Sequence, residues 1–214
     1  MDRETYFSRW AELHGGYDPR ANGLVRLWLT WTYVIARPLA RTRVPPDVVT
    51  VLGLLVSVAA AALAVGGGGW WLLAAALVVV LSALLDNLDG AVAVLAGRAT
   101  RWGYVLDSVT DRCSDLLYVT ALGLAGAPLW VCVAGGALAL LQEYARARAA
   151  AGGMSEVGVV TVWERPTRVI VTAAFLASAA ALGDPWASLG AWAWVGLGLV
   201  GLLQLLVVVR RRLA

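Results

Sequence analysis

Asp86, Asp89, Asp107 and Asp111 put four carboxylates into a stretch of chain that otherwise reads as membrane-spanning helix. An ionised side chain costs about 2.5–3.5 kcal/mol at the centre of a spanning helix on insertion scales. Four of them between residues 86 and 111 therefore require a compensating partner. Oxygen-only ligands at this density suit a hard divalent cation. Asp86 and Asp89 are three residues apart and Asp107 and Asp111 are four apart, so each pair lies on one face of its helix. Two such helices facing each other would converge four carboxylates on one metal site. Gly90 directly after Asp89 removes a side chain where a ligand can approach the backbone, and Gly103 does the same one turn before Asp107. A cation between two helix ends, beside bare backbone, resembles a diphosphate site. There the metal bridges phosphate oxygens and neutralises charge that develops on a leaving group.

The elements that must hold these residues follow from hydropathy. The chain has 214 residues, 60% hydrophobic and 14% charged, with a mean hydropathy of +0.75. A soluble domain carries about 25% charged residues, so the composition excludes one and indicates an all-α integral membrane protein. Apolar runs near 48–66, 70–96, 103–124, 128–149, 168–183 and 187–209 give six transmembrane helices, the fifth being short. Residues 47–214 then form one catalytic bundle, and 1–46 a cytoplasmic N-terminal segment with a juxtamembrane helix. Abundant alanine and glycine suits close helix–helix approach. No internal repeat is convincing.

All 17 basic residues are arginines, and they precede the first span, follow the last, or fall near the links after spans two and four. The links at 66–69, 123–128 and 183–190 contain none. By the positive-inside rule both termini and the acidic cluster belong to the cytoplasmic side of a multi-pass protein in the cell inner membrane. The polar first 23 residues show no cleavable signal. Cys113 and Cys132 read as helix packing residues rather than a disulfide, and His14 as a surface residue. Residues 23–43 set Leu24, Leu27, Trp28, Trp31, Ile35 and Leu39 against Arg26, Arg37 and Arg41, the pattern of an amphipathic helix lying in the membrane interface. The sequence Val44-Pro45-Pro46-Asp47 breaks that helix and starts the first span, with Asp47 or Thr50 available as a cap.

The run Asp86-x2-Asp89-Gly90-x2-Ala93, then Gly103-x3-Asp107-x3-Asp111, resembles the signature of the CDP-alcohol phosphotransferase (CDP-alcohol phosphatidyltransferase) family. Seven of its eight fixed positions match with correct spacing, and Val94 stands where the family has arginine. Pro46-Asp47-x2-Thr50 is similar to the Pro-Asn-x2-Thr that opens the first span in relatives. Tyr144-Ala145-Arg146-Ala147-Arg148 and Glu164-Arg165-Pro166-Thr167-Arg168 look like the acceptor-side segments of the phosphatidylinositol-phosphate synthase branch.

This resemblance implies a six-helix homodimer surrounded by membrane lipid, with no nucleic-acid partner. It implies transfer of a phosphatidyl group from CDP-diacylglycerol to an alcohol acceptor, with release of CMP, in phospholipid biosynthesis. Asp86, Asp89 and Asp107 would be ligands of Mg²⁺ or Mn²⁺, in a site for two ions. Asp111 would be the last ligand and the general base for the acceptor hydroxyl. Pro46, Asp47, Thr50, Gly90, Ala93 and Gly103 would line the nucleotide.

Arg146, Arg148, Arg165 and Arg168 would form a basic acceptor pocket. Arginine forks bind phosphate bidentately, so inositol phosphate or glycerol phosphate is the expected acceptor. Glu143 and Glu164 can pair with some of these arginines. The inositol-phosphate branch usually has serine at the position of Glu143, and an arginine where this chain reads Leu205 after Gln204. A cardiolipin-type synthase using phosphatidylglycerol is the alternative acceptor reading. A non-catalytic membrane partner and an ion-coupled transporter are the alternatives of another class.

Overall fold

The computed structural model describes residues 1–13, 16–42, 44–154 and 160–214; His14, Arg43 and the side chain of Leu24 lie outside the described residues. Among the described residues there are eight α-helices, one 3-10 turn and no strand. They are α1 (Arg3–Leu13), α2 (Gly23–Arg41), α3 (Pro46–Ala64), α4 (Gly69–Ala96), α5 (Arg101–Leu124), α6 (Leu129–Ala151), α7 (Arg165–Leu182) and α8 (Trp186–Leu213), with the 3-10 turn at Pro19–Ala21 before α2.

The six apolar runs correspond to α3 through α8. Three of these, α3, α4 and α8, are long and apolar enough to cross a membrane. Helices α5, α6 and α7 are less apolar because charged residues occupy them, among them Asp107, Asp111, Glu143, Arg146 and Arg168.

The sequence separates residues 1–46 from 47–214, but packing draws another line. One compact unit comprises Met1–Gly53 and Ala83–Asp111; the other comprises Leu54–Ser82 and Arg112–Ala214. In the first unit, Tyr6 and Phe7 of α1 are buried with Leu29, Tyr33 and Ala36 of α2, Val49 of α3, and Leu88, Ala91 and Val92 of α4. The polar first residues thus form a helix that the sequence reading did not anticipate. An ion pair from Arg20 to Glu4 at 3.1 Å ties the turn before α2 back to α1. The opposite face of α2 leaves Leu27, Trp28, Trp31 and Val34 exposed.

In the second unit α8 packs on α6 and α7. Bare glycine lets it approach closely: a Cβ on Gly201 would fall 2.5 Å from the Trp163 side chain, and one on Gly190 2.7 Å from Phe175. Buried hydroxyl pairs cross this unit too, with Ser57 donating to Ser114 at 3.0 Å and the Ser82 and Tyr118 hydroxyls hydrogen-bonded at 2.6 Å. Cys113 and Cys132 are both free thiols, so no disulfide constrains the bundle.

Candidate functional site

Two local signals turn the chain between α4 and α5. At the end of α4, Gly97 takes a φ of +64°, a left-handed conformation that glycine adopts without a Cβ penalty. The Gly97 amide then donates to the Val94 carbonyl and the Arg98 amide to the Ala93 carbonyl, the paired closure of a Schellman motif. Thr100 caps α5: its Oγ1 accepts the Gly103 amide at 2.9 Å, satisfying an amide that the first helical turn leaves open. The four-residue link therefore closes a helical hairpin.

That hairpin brings Asp107 of α5 to Asp86 and Asp89 of α4. One carboxylate oxygen of each lies within 4.8 Å of the others. Asp86 and Asp107 are half-buried, while Asp89 is only 4% exposed. Asp89 Oδ1 accepts the Gly90 amide, and Oδ2 is buried with no hydrogen-bond partner among the described residues. A buried carboxylate oxygen in that condition carries a desolvation cost that a cation would offset. Three oxygen donors at this separation, one of them orphaned, fit a hard divalent ion. Asp111 lies one turn further along α5, half-buried and outside the 4.8 Å group.

The candidate nucleotide residues fall in the same compact unit as the triad. Gly90 is exposed, and a Cβ there would meet nothing within 4 Å, so bare backbone faces open space beside Asp89. Gly103 is different. A Cβ there would sit 3.1 Å from the capping Thr100 Oγ1 and 3.5 Å from Asp47 Oδ1, so this glycine also has a packing reason. Pro46 opens α3, where its missing N–H costs nothing. Thr50 does not cap that helix as expected: it is buried, and its hydroxyl donates back to the Pro46 carbonyl at 3.2 Å. Ala93 is half-buried, and Val94 packs partly buried against the apolar core of the unit. An apolar contact thus replaces the family's arginine, while Arg98 and Arg101 are exposed nearby in sequence.

One supporting contact escaped the sequence reading. Asn87, between Asp86 and Asp89, accepts from the Trp28 indole at 3.3 Å and donates to the Ala83 carbonyl at 2.8 Å. It anchors α2 to the turn of α4 that carries the carboxylates. No local signal in the sequence links residues so far apart.

The four candidate acceptor arginines belong to the second unit, and their surroundings differ. Arg168 is fully buried. It donates to Asp115 at 2.7 Å, to Glu143 at 3.1 Å and to the Trp163 carbonyl at 3.1 Å, and lies 5.9 Å from the Trp163 ring centre. Arg146 pairs with Glu164 at 2.8 Å and with Glu143 at 3.6 Å, as the expected pairing of these glutamates requires. Arg148 is exposed and Arg165 half-buried. The arrangement therefore corrects the picture of four arginines open to an acceptor: Arg168 is enclosed by its carboxylate partners. Asp115 and Arg112, neither of which was singled out from the sequence, complete the cluster. Asp115 continues the four-residue spacing of Asp107 and Asp111 along α5, a signal that was available.

Comparison with known proteins agrees with the motif. Residues 43–209 match the family model described as CDP-alcohol phosphatidyltransferase. The phosphatidylinositol phosphate synthase of Mycobacterium tuberculosis is 35% identical over 150 residues, covering 65% of this chain and 66% of that protein. The archaetidylinositol phosphate synthase of Aeropyrum pernix is 41% identical over 97 residues, covering 45% of this chain and 50% of that protein. The chain thus spans just under two thirds of the length of the mycobacterial relative. The crystal structure of the M. tuberculosis synthase with manganese and citrate superposes with a TM-score of 0.71 at 33% identity, covering 84% of this chain and 88% of that one. The same synthase with CDP-DAG bound also gives 0.71 at 33% identity, covering 83% and 92%.

Proposed function

Since the chain belongs to the CDP-alcohol phosphatidyltransferase family, we propose that it transfers a phosphatidyl group from CDP-diacylglycerol to the hydroxyl of an alcohol acceptor and releases CMP. The observation that carries this reading is the carboxylate triad of Asp86, Asp89 and Asp107 within 4.8 Å, beside the open backbone at Gly90. These aspartates would hold divalent metal, Mg²⁺ or Mn²⁺, with two ions as the full complement. Such an ion, when bound, supplies positive charge against the diphosphate and the leaving CMP.

The remaining work belongs to the chain's own groups. Gly90 and Gly103 leave backbone accessible to the nucleotide, with Ala93 as a small neighbour and Pro46, Asp47 and Thr50 supporting it from the start of α3. Asp111, outside the triad, is the general base: it takes the proton from the acceptor hydroxyl as that oxygen attacks phosphorus. A carboxylate suffices for this step because the proton is lost as the new bond forms, and no histidine is required.

The acceptor carries a phosphate, inositol phosphate or glycerol phosphate, directed by the arginines of α6 and α7. The names of the relatives favour inositol phosphate over the cardiolipin-type alternative. The six helices α3 to α8 span the inner membrane with both termini cytoplasmic, α2 lies in the interface on its Leu27–Trp31 face, and the protein functions as a homodimer. The alternation of arginine along the sequence supports this topology.

The deciding experiment is CMP release from CDP-diacylglycerol by the purified protein, with and without Mn²⁺ or Mg²⁺, across inositol phosphate, glycerol phosphate, myo-inositol and phosphatidylglycerol. Metal-dependent CMP release with a phosphorylated acceptor is the expected result. No release with any acceptor would defeat the transferase reading, as expected for a transporter or a non-catalytic partner.

A further inference from the structure

The arginine cluster of the second unit is paired with carboxylates from its own unit. Arg112 Nη1 lies 2.9 Å from Glu143 Oε2, Arg146 Nε lies 3.6 Å from the same oxygen, and Arg168 Nη2 donates to Oε1 at 3.1 Å. One carboxylate thus occupies the focus of three guanidinium groups, the place and geometry in which these forks would take a phosphate. Asp115 holds the inner side of Arg168 and Glu164 the far side of Arg146. Among the described residues, these three arginines are matched by the three carboxylates of Asp115, Glu143 and Glu164.

The three acids are not equivalent in their access to solvent. Asp115 is 1% exposed and paired with the fully buried Arg168, whereas Glu143 is 22% exposed, as are Arg112 and Arg146. An anion approaching this cluster from outside meets Glu143 already seated on the arginines.

We propose that Glu143 is a tethered counter-anion that sets acceptor specificity, competing with the phosphate of the acceptor for the part-exposed Arg112 and Arg146, while Arg168 stays enclosed. This rests on the reading of the chain as a phosphatidyltransferase with a phosphorylated acceptor. Glu143 touches neither reacting atom; it acts through the arginines. Its charge weakens binding of a phosphate dianion, so a phosphorylated acceptor has to displace the Glu143 carboxylate from the arginines. Removing the charge leaves the arginines one cation in excess, while Asp115 still secures Arg168.

The test uses the full chain in detergent and inorganic phosphate as the probe, titrated by calorimetry without divalent metal. Glu143→Gln is expected to bind phosphate at least about tenfold more tightly than the parent, a factor worth about 1.4 kcal/mol. Glu143→Asp, which keeps the charge, should stay near the parent. In CMP release the acceptor KM for inositol phosphate should fall by a similar factor in Glu143→Gln, with kcat and the KM for CDP-diacylglycerol little changed. Should Glu143→Gln fail to fold, Glu143→Ser provides the same loss of charge with a smaller side chain. Unchanged phosphate affinity in a folded neutral variant would overturn the proposal. So would equal tightening in Glu143→Asp, which would make the effect one of space rather than charge. The phosphate titration needs no turnover, so its failure is separate from an absence of CMP release in the parent, which would instead defeat the transferase reading.

Discussion

Replacing Asp89 by asparagine exchanges a buried carboxylate for an amide of nearly the same shape, and its expected consequences for stability and for metal binding run in opposite directions. Asp89 is 4% exposed, its Oδ2 has no hydrogen-bond partner among the described residues, and its neighbours in the triad, Asp86 and Asp107, are also acidic. Without metal, the substitution removes a desolvated charge and its repulsion with two like charges. Melting temperature in chelator should therefore hold or rise. With metal, the same change removes one anionic ligand of three. Unit charges 4 Å apart exchange about 4 kcal/mol at an effective dielectric of about 20. Allowing for relaxation and water entering the site, we expect a loss of about 2.7–4 kcal/mol in cation binding, or about 10²–10³ in affinity at 1.36 kcal/mol per decade. The assay is thermal unfolding against Mn²⁺ concentration, with CMP release measured in parallel. A ligand at 100 times its Kd stabilises by about 2.7 kcal/mol, which moves the melting point of a chain this size by several degrees. The parent should show that shift. Asp89→Asn should lack it at the same Mn²⁺ concentration and release no CMP. An Asp89→Asn protein that keeps both the Mn²⁺-dependent shift and turnover would refute the assignment of this triad to metal.

Three further outcomes are expected. Asp111→Asn should leave CDP-diacylglycerol binding measurable while lowering turnover by about 10²–10⁴-fold, the usual share of general-base catalysis; a parallel loss of binding would make Asp111 a ligand only. Gly90→Leu, entering open space, should raise the KM for CDP-diacylglycerol with little change in melting temperature, whereas Gly103→Leu should lower both affinity and stability because it strikes Thr100 and Asp47; equal thermal damage from both would argue against an open site at Gly90. Asp115→Ala should cost about 3–5 kcal/mol of stability by leaving the buried Arg168 guanidinium short of its main partner, read by thermal or denaturant unfolding; a loss below 1 kcal/mol would mean water readily replaces the carboxylate.

The sequence makes some of this architecture legible and conceals the rest for identifiable reasons. Helices α3 to α8 are legible because apolar stretches of helical length recur between glycine, proline or charge, even though charged residues interrupt those of α5, α6 and α7. The triad is legible because its ligand spacing is a property of the helix itself: three or four residues place two carboxylates on one face. Helix α1 is less visible. Its burial depends on Tyr6 and Phe7 meeting α2, and a short polar helix shows no periodicity strong enough to announce that. The arginines expose a different limit. Their number and placement fit the links between helices, but the carboxylates that Arg168 meets lie 25 and 53 residues away along the chain and are set by tertiary contact. Thr50 illustrates the same point on a smaller scale: its position suits a cap, yet its hydroxyl turns inward to the Pro46 carbonyl.

The division of packing at residue 111 also orders events during synthesis. The first compact unit draws all of its residues from Met1–Gly53 and Ala83–Asp111, so its chain is complete before Arg112 is added. The hairpin that gathers the three carboxylates needs only the short loop between α4 and α5 to close, a step with little entropic penalty. At about 5–20 residues per second, adding residues 112–168 takes a further 3–11 s or so. For that interval the chain contains the residues of its acidic triad but not the whole arginine cluster. Every residue of the acidic triad is thus synthesised while α6, α7 and α8 are still to come.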